Sequence, residues 1–126
     1  MCLRNNDPTK VSILLKKKRI NCYKVFNVYN LALKSLSFKM FYKSGWNCSN
    51  SLVKRPILKR IELKRGIYVF LNEKLAECFY QYNDLDKAVI VPVTAFTSDL
   101  IGASGEIAVF SKIYISEKNY EKAVNE

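Results

Sequence analysis

No histidine occurs among the 126 residues, so Ser-His-Asp and Cys-His catalysis, histidine general bases and His-containing zinc sites have no imidazole to work with. Cys2, Cys22, Cys48 and Cys78 stand 20, 26 and 30 residues apart. They never form the C-x-x-C pairs that build a metal site, and free, mostly buried thiols are their plainest reading. Asp84, Asp86 and Asp99 are scattered over loop-like sequence, so spacing alone assembles neither a carboxylate metal site nor a glycosidase pair. Gly102-Ala103-Ser104-Gly105 lacks the strand-glycine-helix context and the Lys-Ser/Thr ending of a phosphate loop, and reads as a flexible loop.

Charge is the larger signal. The chain carries 21 Lys+Arg against 11 Asp+Glu, a formal net charge of +10. Sixteen basic and 2 acidic residues precede Gly66, while 5 basic and 9 acidic follow from there on. Aromatics interleave with the charges of the basic half, in Tyr23, Lys24, Phe26, Tyr29 and again in Phe38, Lys39, Phe41, Tyr42, Lys43, Trp46. A surface that tracks a phosphate backbone and stacks bases has this composition; so does the solvated side of an alternating strand. The residues such a surface would use for an anionic macromolecule, a nucleic acid or a host protein complex, are Lys16, Lys17, Lys18, Arg19, Lys54, Arg55, Lys59 and Arg60, followed by Lys64 and Arg65.

These side chains must be held by strands and at least one helix. Val11, Ile13, Leu14 and Leu15 suggest a strand over Lys10 to Leu15 that ends in the basic turn. Ile20 to Tyr29 alternates as a second strand, and Leu31 to Tyr42 changes parity near Lys34-Ser35, as two short pieces or a bulge would. Ser44 to Ser51 is rich in turn formers and reads as a loop, after which Ile57, Ile61 and Leu63 alternate. Ile67 to Leu71 is a strand by propensity, and Asn72 then caps a helix over Glu73 to Tyr82 with Leu75, Phe79 and Tyr82 on one stripe, ended by Asn83-Asp84. Lys87 to Ala95 suits a strand covered on both faces, with Pro92 marking an edge or bulge. Thr97 to Gly105 reads as a small-residue loop, Glu106 to Ile115 as one alternating strand, and the tail from Ser116 as one or two helical turns.

Three of these segments resemble the poly- and mono-ADP-ribosyltransferases. Gly66-Ile67-Tyr68-Val69-Phe70, with Ala76 and Tyr80 in the helix behind it, is similar to their glycine-Ile-Tyr-Phe strand and following helix. Glu106-Ile107-Ala108-Val109-Phe110 resembles the last catalytic strand, and Cys22-Tyr23-Lys24-Val25-Phe26 the first core strand. The resemblance spans about residues 20 to 115 and implies an NAD-binding fold. In that reading Lys24 contacts the nicotinamide and ribose, Tyr68 stacks on the nicotinamide ring, and Glu106 is the catalytic carboxylate that stabilises an oxocarbenium-like transition state. Lys24 stands where the family has His or Arg, and the family's Ser-Thr-Ser stretch has no counterpart here. By residue type alone, Tyr68 is more often a strand aromatic packed in a core, Glu106 a surface carboxylate, and Lys24 a solvent-facing strand residue.

The expectation is therefore a single α+β domain over 1–126 (basic half 1–65, mildly acidic half 66–126), with a split, mainly antiparallel sheet and one principal helix, ADP-ribosyltransferase-like. The function that the resemblance implies is transfer of ADP-ribose from NAD to a host protein or nucleic acid. The alternatives are a non-catalytic inhibitor of a host enzyme or defence complex, since small lysine-rich chains of this kind look like phage or mobile-element products, and a basic nucleic-acid-binding protein. The longest uncharged stretch, Ala88 to Ser98, is eleven residues, too short for a helix to cross about 30 Å of hydrocarbon. Met1 to Pro8 lacks the basic start and apolar block of a secretory signal. No membrane partner and a cytoplasmic location are expected.

Overall fold

The structure, a computed structural model, describes residues 6–35, 41–49, 66–82 and 88–125. Its elements run α1 (Pro8–Leu14), β1 (Arg19–Tyr29), β2 (Ala32–Lys34), β3 (Phe41–Tyr42), β4 (Gly45–Cys48), β5 (Ile67–Phe70), α2 (Glu73–Tyr82), β6 (Ala88–Phe96), β7 (Leu100–Ser104), β8 (Ile107–Phe110), β9 (Lys112–Ile115) and α3 (Glu117–Val124). The strands form one sheet in the order β4-β9-β6-β1-β5-β8-β7, with β2 beside β1 and β3 beside β2. Every described pairing is antiparallel. The fold is thus mixed α/β, a mainly antiparallel sheet with three helices where one principal helix was expected.

β1 is the spine. It pairs with β6 over nine residues, from Arg19 opposite Phe96 to Asn27 opposite Ala88, while its other edge meets β5 at Tyr23–Phe70 and β2 over Asn27 to Tyr29. Strand side chains alternate between faces, so Ile20, Cys22 and Phe26 enter the larger core with Val91, Val93, Ala95, Ile113 and Ile115. Val25 points the other way, into a smaller cluster with Phe70, Ala76 and Ala88 that α2 covers.

Several sequence expectations are corrected, each for a local reason. Lys10 to Leu15 is not a strand. Asp7 caps a helix there by accepting from Thr9 N (3.0 Å) and Lys10 N (3.4 Å), and Pro8 occupies the first turn, where its missing N–H costs nothing. Ser44 to Ser51 contains β4, paired residue for residue with β9. Thr97 to Gly105 is a 3₁₀ turn (Thr97–Asp99) followed by β7; the small residues are needed because Gly102 and Ala103 lie buried beside α1, whose entry is tied by Asp7 N donating to Ala103 O at 2.8 Å.

Glu106 to Ile115 breaks at Ser111, whose N–H donates to Asp99 O and whose carbonyl accepts from Ser49 N. The break shifts parity, so Phe110 and Ile113 share one core. Glu73–Tyr82 matches its expected helix, Ile20–Tyr29 and Ile67–Phe70 their strands, and the tail forms α3 behind the Ser116 cap. The strand expected around Ile57 to Leu63 and the stop at Asn83-Asp84 lie outside the described residues.

The β1–β2 hairpin closes through Asn30-Leu31, both with positive φ (+51° and +60°). A two-residue loop with that twist favours Asn-Gly, and a leucine Cβ in the left-handed region costs roughly 1–2 kcal/mol. Leu31 is 70% exposed, so it contributes little packing in return. Leu31→Gly is expected to raise stability by about 1 kcal/mol, read as a higher urea midpoint with an unchanged slope.

Candidate functional site

The expectation that β6 is covered on both faces is also corrected, and the correction exposes the site. Val91, Val93 and Ala95 are buried, but Pro92 is exposed and Thr94 and Phe96 are half-buried. α2 covers the sheet around Val25, Phe70 and Ala88, and among the described residues no other helix covers the far half of the same face. Across it runs one register row, Asn21 opposite Thr94, Thr94 opposite Tyr114, and Tyr114 opposite Trp46. One step along, Arg19 stands opposite Phe96, and Lys112 opposite Cys48.

Aromatic rings dominate this surface. Trp46 stacks on Phe96 (centroids 5.4 Å apart, 29° between planes) and meets the edge of Tyr114 (5.3 Å, 62°). Lys112 Nζ lies 5.3 Å from the Trp46 ring centroid. Trp46 is 40% and Tyr114 38% exposed, less than Tyr29 (57%) and Phe41 (54%), and contiguous exposed apolar surface marks contact sites.

The strand carrying Trp46 is held from both ends. Gly45 takes φ +95°, and the buried Asn47 side chain braces the preceding turn, accepting from Lys43 N (3.0 Å) and donating to Lys43 O (2.8 Å) and Gly45 O (3.2 Å). At the far end Ser49 donates from N (2.8 Å) and from Oγ (3.0 Å) to Ser111 O.

Lys16, Lys17, Lys18 and Arg19 lie at this same end of the sheet. The run joins α1 to β1, and Thr97, directly after Phe96, fixes it by donating from Oγ1 to Lys17 O (2.6 Å) and from N to Lys18 O (3.0 Å). All four side chains are exposed. Lys54, Arg55, Lys59, Arg60, Lys64 and Arg65 lie outside the described residues. The sequence pointed to Trp46 and the basic run but not to Phe96, Lys112 or Tyr114. The available signal was the parity of Pro92, Thr94 and Phe96 against Val91, Val93 and Ala95.

Lys24, Tyr68 and Glu106 are placed differently. Lys24 shares the parity of Cys22 and Phe26 on the core side of β1; its Nζ donates to the backbone carbonyl of Tyr68 at 2.8 Å and sits 5.7 Å and 5.9 Å from the Phe26 and Tyr42 ring centroids. Tyr68 has the parity of Phe70, and so belongs to the opposite, α2-covered face, whereas its neighbours Ile67 and Val69 join the core on the Lys24 side. Glu106 lies in the β7–β8 turn, half exposed, with Oε1 3.7 Å from Lys10 Nζ of α1. Lys24 therefore meets Tyr68 through main chain, and Glu106 pairs with a helix lysine.

Burial sets the protonation of this core. Desolvation lowers the Lys24 pKa from 10.5 to about 8, partly opposed by Cys22. Desolvation also raises the Cys22 thiol from 9.0 to about 12, partly opposed by the Lys24 charge, and holds the Tyr42 hydroxyl above its usual range. Cys22 is buried while Cys48 and Cys78 are exposed, all three free; the expectation of mostly buried thiols holds for Cys22 alone among them. Among the described residues no group of His, Cys, Asp and Glu could hold a metal ion, and no helix is long and apolar enough to cross a membrane. No family model, curated protein or solved structure matches the chain.

A lysine whose folded pKa is depressed binds fewer protons folded than unfolded between about pH 8 and 10.5, so its destabilising contribution is full below pH 8 and relieved as pH rises through that window. Lys24→Met is accordingly expected to melt higher than the parent at pH 7, with the gap narrowing toward pH 10.5. A gap constant across that range would contradict the assignment.

Proposed function

We propose that this chain is a nucleic-acid-binding protein whose contact surface is the open half of the β1–β6 face. The observation that supports it is the fixing of the Lys16 to Arg19 run beside the Trp46, Phe96 and Tyr114 rings by hydrogen bonds from Thr97. Cations neutralise phosphates and release counterions, while rings offer a face to bases. The excess of positive charge, +10 over the chain, draws a polyanion from a distance.

Affinity for nucleic acid should fall steeply with salt. Replacing Lys16, Lys17, Lys18 and Arg19 together by Ala should flatten the log–log slope by about three, from a contribution of roughly 0.7–0.9 per phosphate contact. Lys118→Ala, on the outer side of α3, should leave the slope as it is. Fluorescence anisotropy of a labelled oligonucleotide between 50 and 200 mM salt reads both; a flat salt dependence, or equal slopes in all three proteins, rejects the surface.

A second reading is the NAD-dependent transferase. It rests on the resemblance of three short segments; the contact between two of its residues, Lys24 Nζ on the Tyr68 carbonyl, is made through main chain. Millimolar NAD should then raise the melting temperature, because a ligand of the native state stabilises it, and Tyr68→Ala should abolish the rise. No rise in the parent rejects this reading.

A further inference from the structure

The open face favours one form of nucleic acid. We infer that its occupant is a single strand, whose bases stack on the Trp46–Tyr114 ledge while its phosphates run toward Lys112, Arg19 and the Lys16 to Lys18 turn. This rests on the nucleic-acid reading above and narrows it.

Three features carry the inference. The first is shape: β4, β9, β6 and β1 lie side by side, presenting about 14 Å of sheet across three inter-strand steps. No described helix projects from that half to enter a major groove about 12 Å wide. The second is the chemistry of the rings. In a duplex the base faces are occupied by their neighbours, so exposed Trp and Tyr faces would gain nothing from it; a single strand offers unstacked bases, and every base has a π-face. Room for about two or three bases follows from the width.

The third is charge placement. At the opposite end of the same face, a cleft of about 230 Å³ between α2 and α3 is lined by Glu73 and Glu77 of α2, Lys122 of α3, Tyr23 and Pro92. On α3 itself Glu117 and Glu121 are balanced by Lys118 and Lys122. That end is close to neutral, with a single negative charge in excess in the cleft, so phosphates are drawn to the basic turn. Asp99, in the 3₁₀ turn after Phe96, stands against Lys16, Lys17, Lys18, Arg19 and Lys112 and leaves the local balance positive.

The chain has a single tryptophan, which makes the test direct. Intrinsic fluorescence is titrated with a thymidylate decamer, a uridylate decamer and a mixed-sequence duplex of the same length, all at 50 mM salt. Quenching of Trp46 by a decamer, at a concentration roughly tenfold or more below that at which duplex binds, is the expected result. Tyr114→Ala should weaken decamer binding roughly tenfold, while Trp46→Phe, which keeps a ring and the fold, should retain binding measured by anisotropy. Duplex binding as tight as the decamers, or decamer binding without quenching, overturns the single-strand inference while the nucleic-acid reading stands. No binding of any of the three overturns both and turns the aromatic face toward a protein partner.

Discussion

The antiparallel ladder between β1 and β6 governs the rest of the molecule. Over nine paired residues it fixes which side chains face which way, and because the strand period is two, a slip of one residue would invert every assignment. The observed register sends Ile20, Cys22 and Phe26 together with Val91, Val93 and Ala95 into one core. It turns Arg19, Asn21, Thr94 and Phe96 out on the other side. β6 then takes β9 at Thr94, and β9 takes β4, so the aromatic ledge is a downstream product of the same register. Pro92 fits the arrangement because its carbonyl points away from β1 and accepts a long bond (3.5 Å) from Asn119 of α3. Its missing N–H therefore falls on the side where β9 has already ended.

The two faces carry opposite physical regimes. On the core side a lysine is held in an apolar setting. Lys24 is satisfied by the Tyr68 carbonyl and two aromatic rings, yet desolvation still weakens its hold on the proton. On the open side Lys16, Lys17, Lys18 and Arg19 stand exposed to water. Cations that remain solvated can exchange counterions for phosphates at little cost, whereas Lys24 would need the core to open first.

Much of the fold was legible in the residues. The alternation of Ile20 to Tyr29, the apolar run at Ile67 and the Asn72 cap, whose Oδ1 accepts from Lys74 N at 2.7 Å, are local signals that tertiary packing had no reason to override. The errors arose where one signal masked another. Val11, Leu14 and Leu15 suit either period, and the Asp7-Pro8 start decided for the helix. Gly45 and Asn47 look like loop formers but serve a strand, one through its φ and the other through a buried clamp. Small residues in β7 suggested mobility and instead reflect close packing at Ala103, which is fully buried. Of the site, the basic run and Trp46 could be read from sequence. Phe96 shares the parity of Pro92 and Thr94, but its juxtaposition with Lys112 and Tyr114 depends on β9 leaving β8 at Ser111 and crossing to β6, a change of partner that no local pattern encodes.

On the proposed reading a polyanion docks on the open half of the β1–β6 face in preference to the other described surfaces. Backbone amide chemical shifts, followed by NMR while a thymidylate decamer is added, test it most directly. Perturbations concentrated at Lys18, Arg19, Trp46, Phe96, Lys112 and Tyr114, with α2 and α3 unmoved, are what the geometry predicts. Shifts confined to the helices, or centred on Lys24 and Glu106 with Trp46 and Tyr114 unchanged, would contradict it.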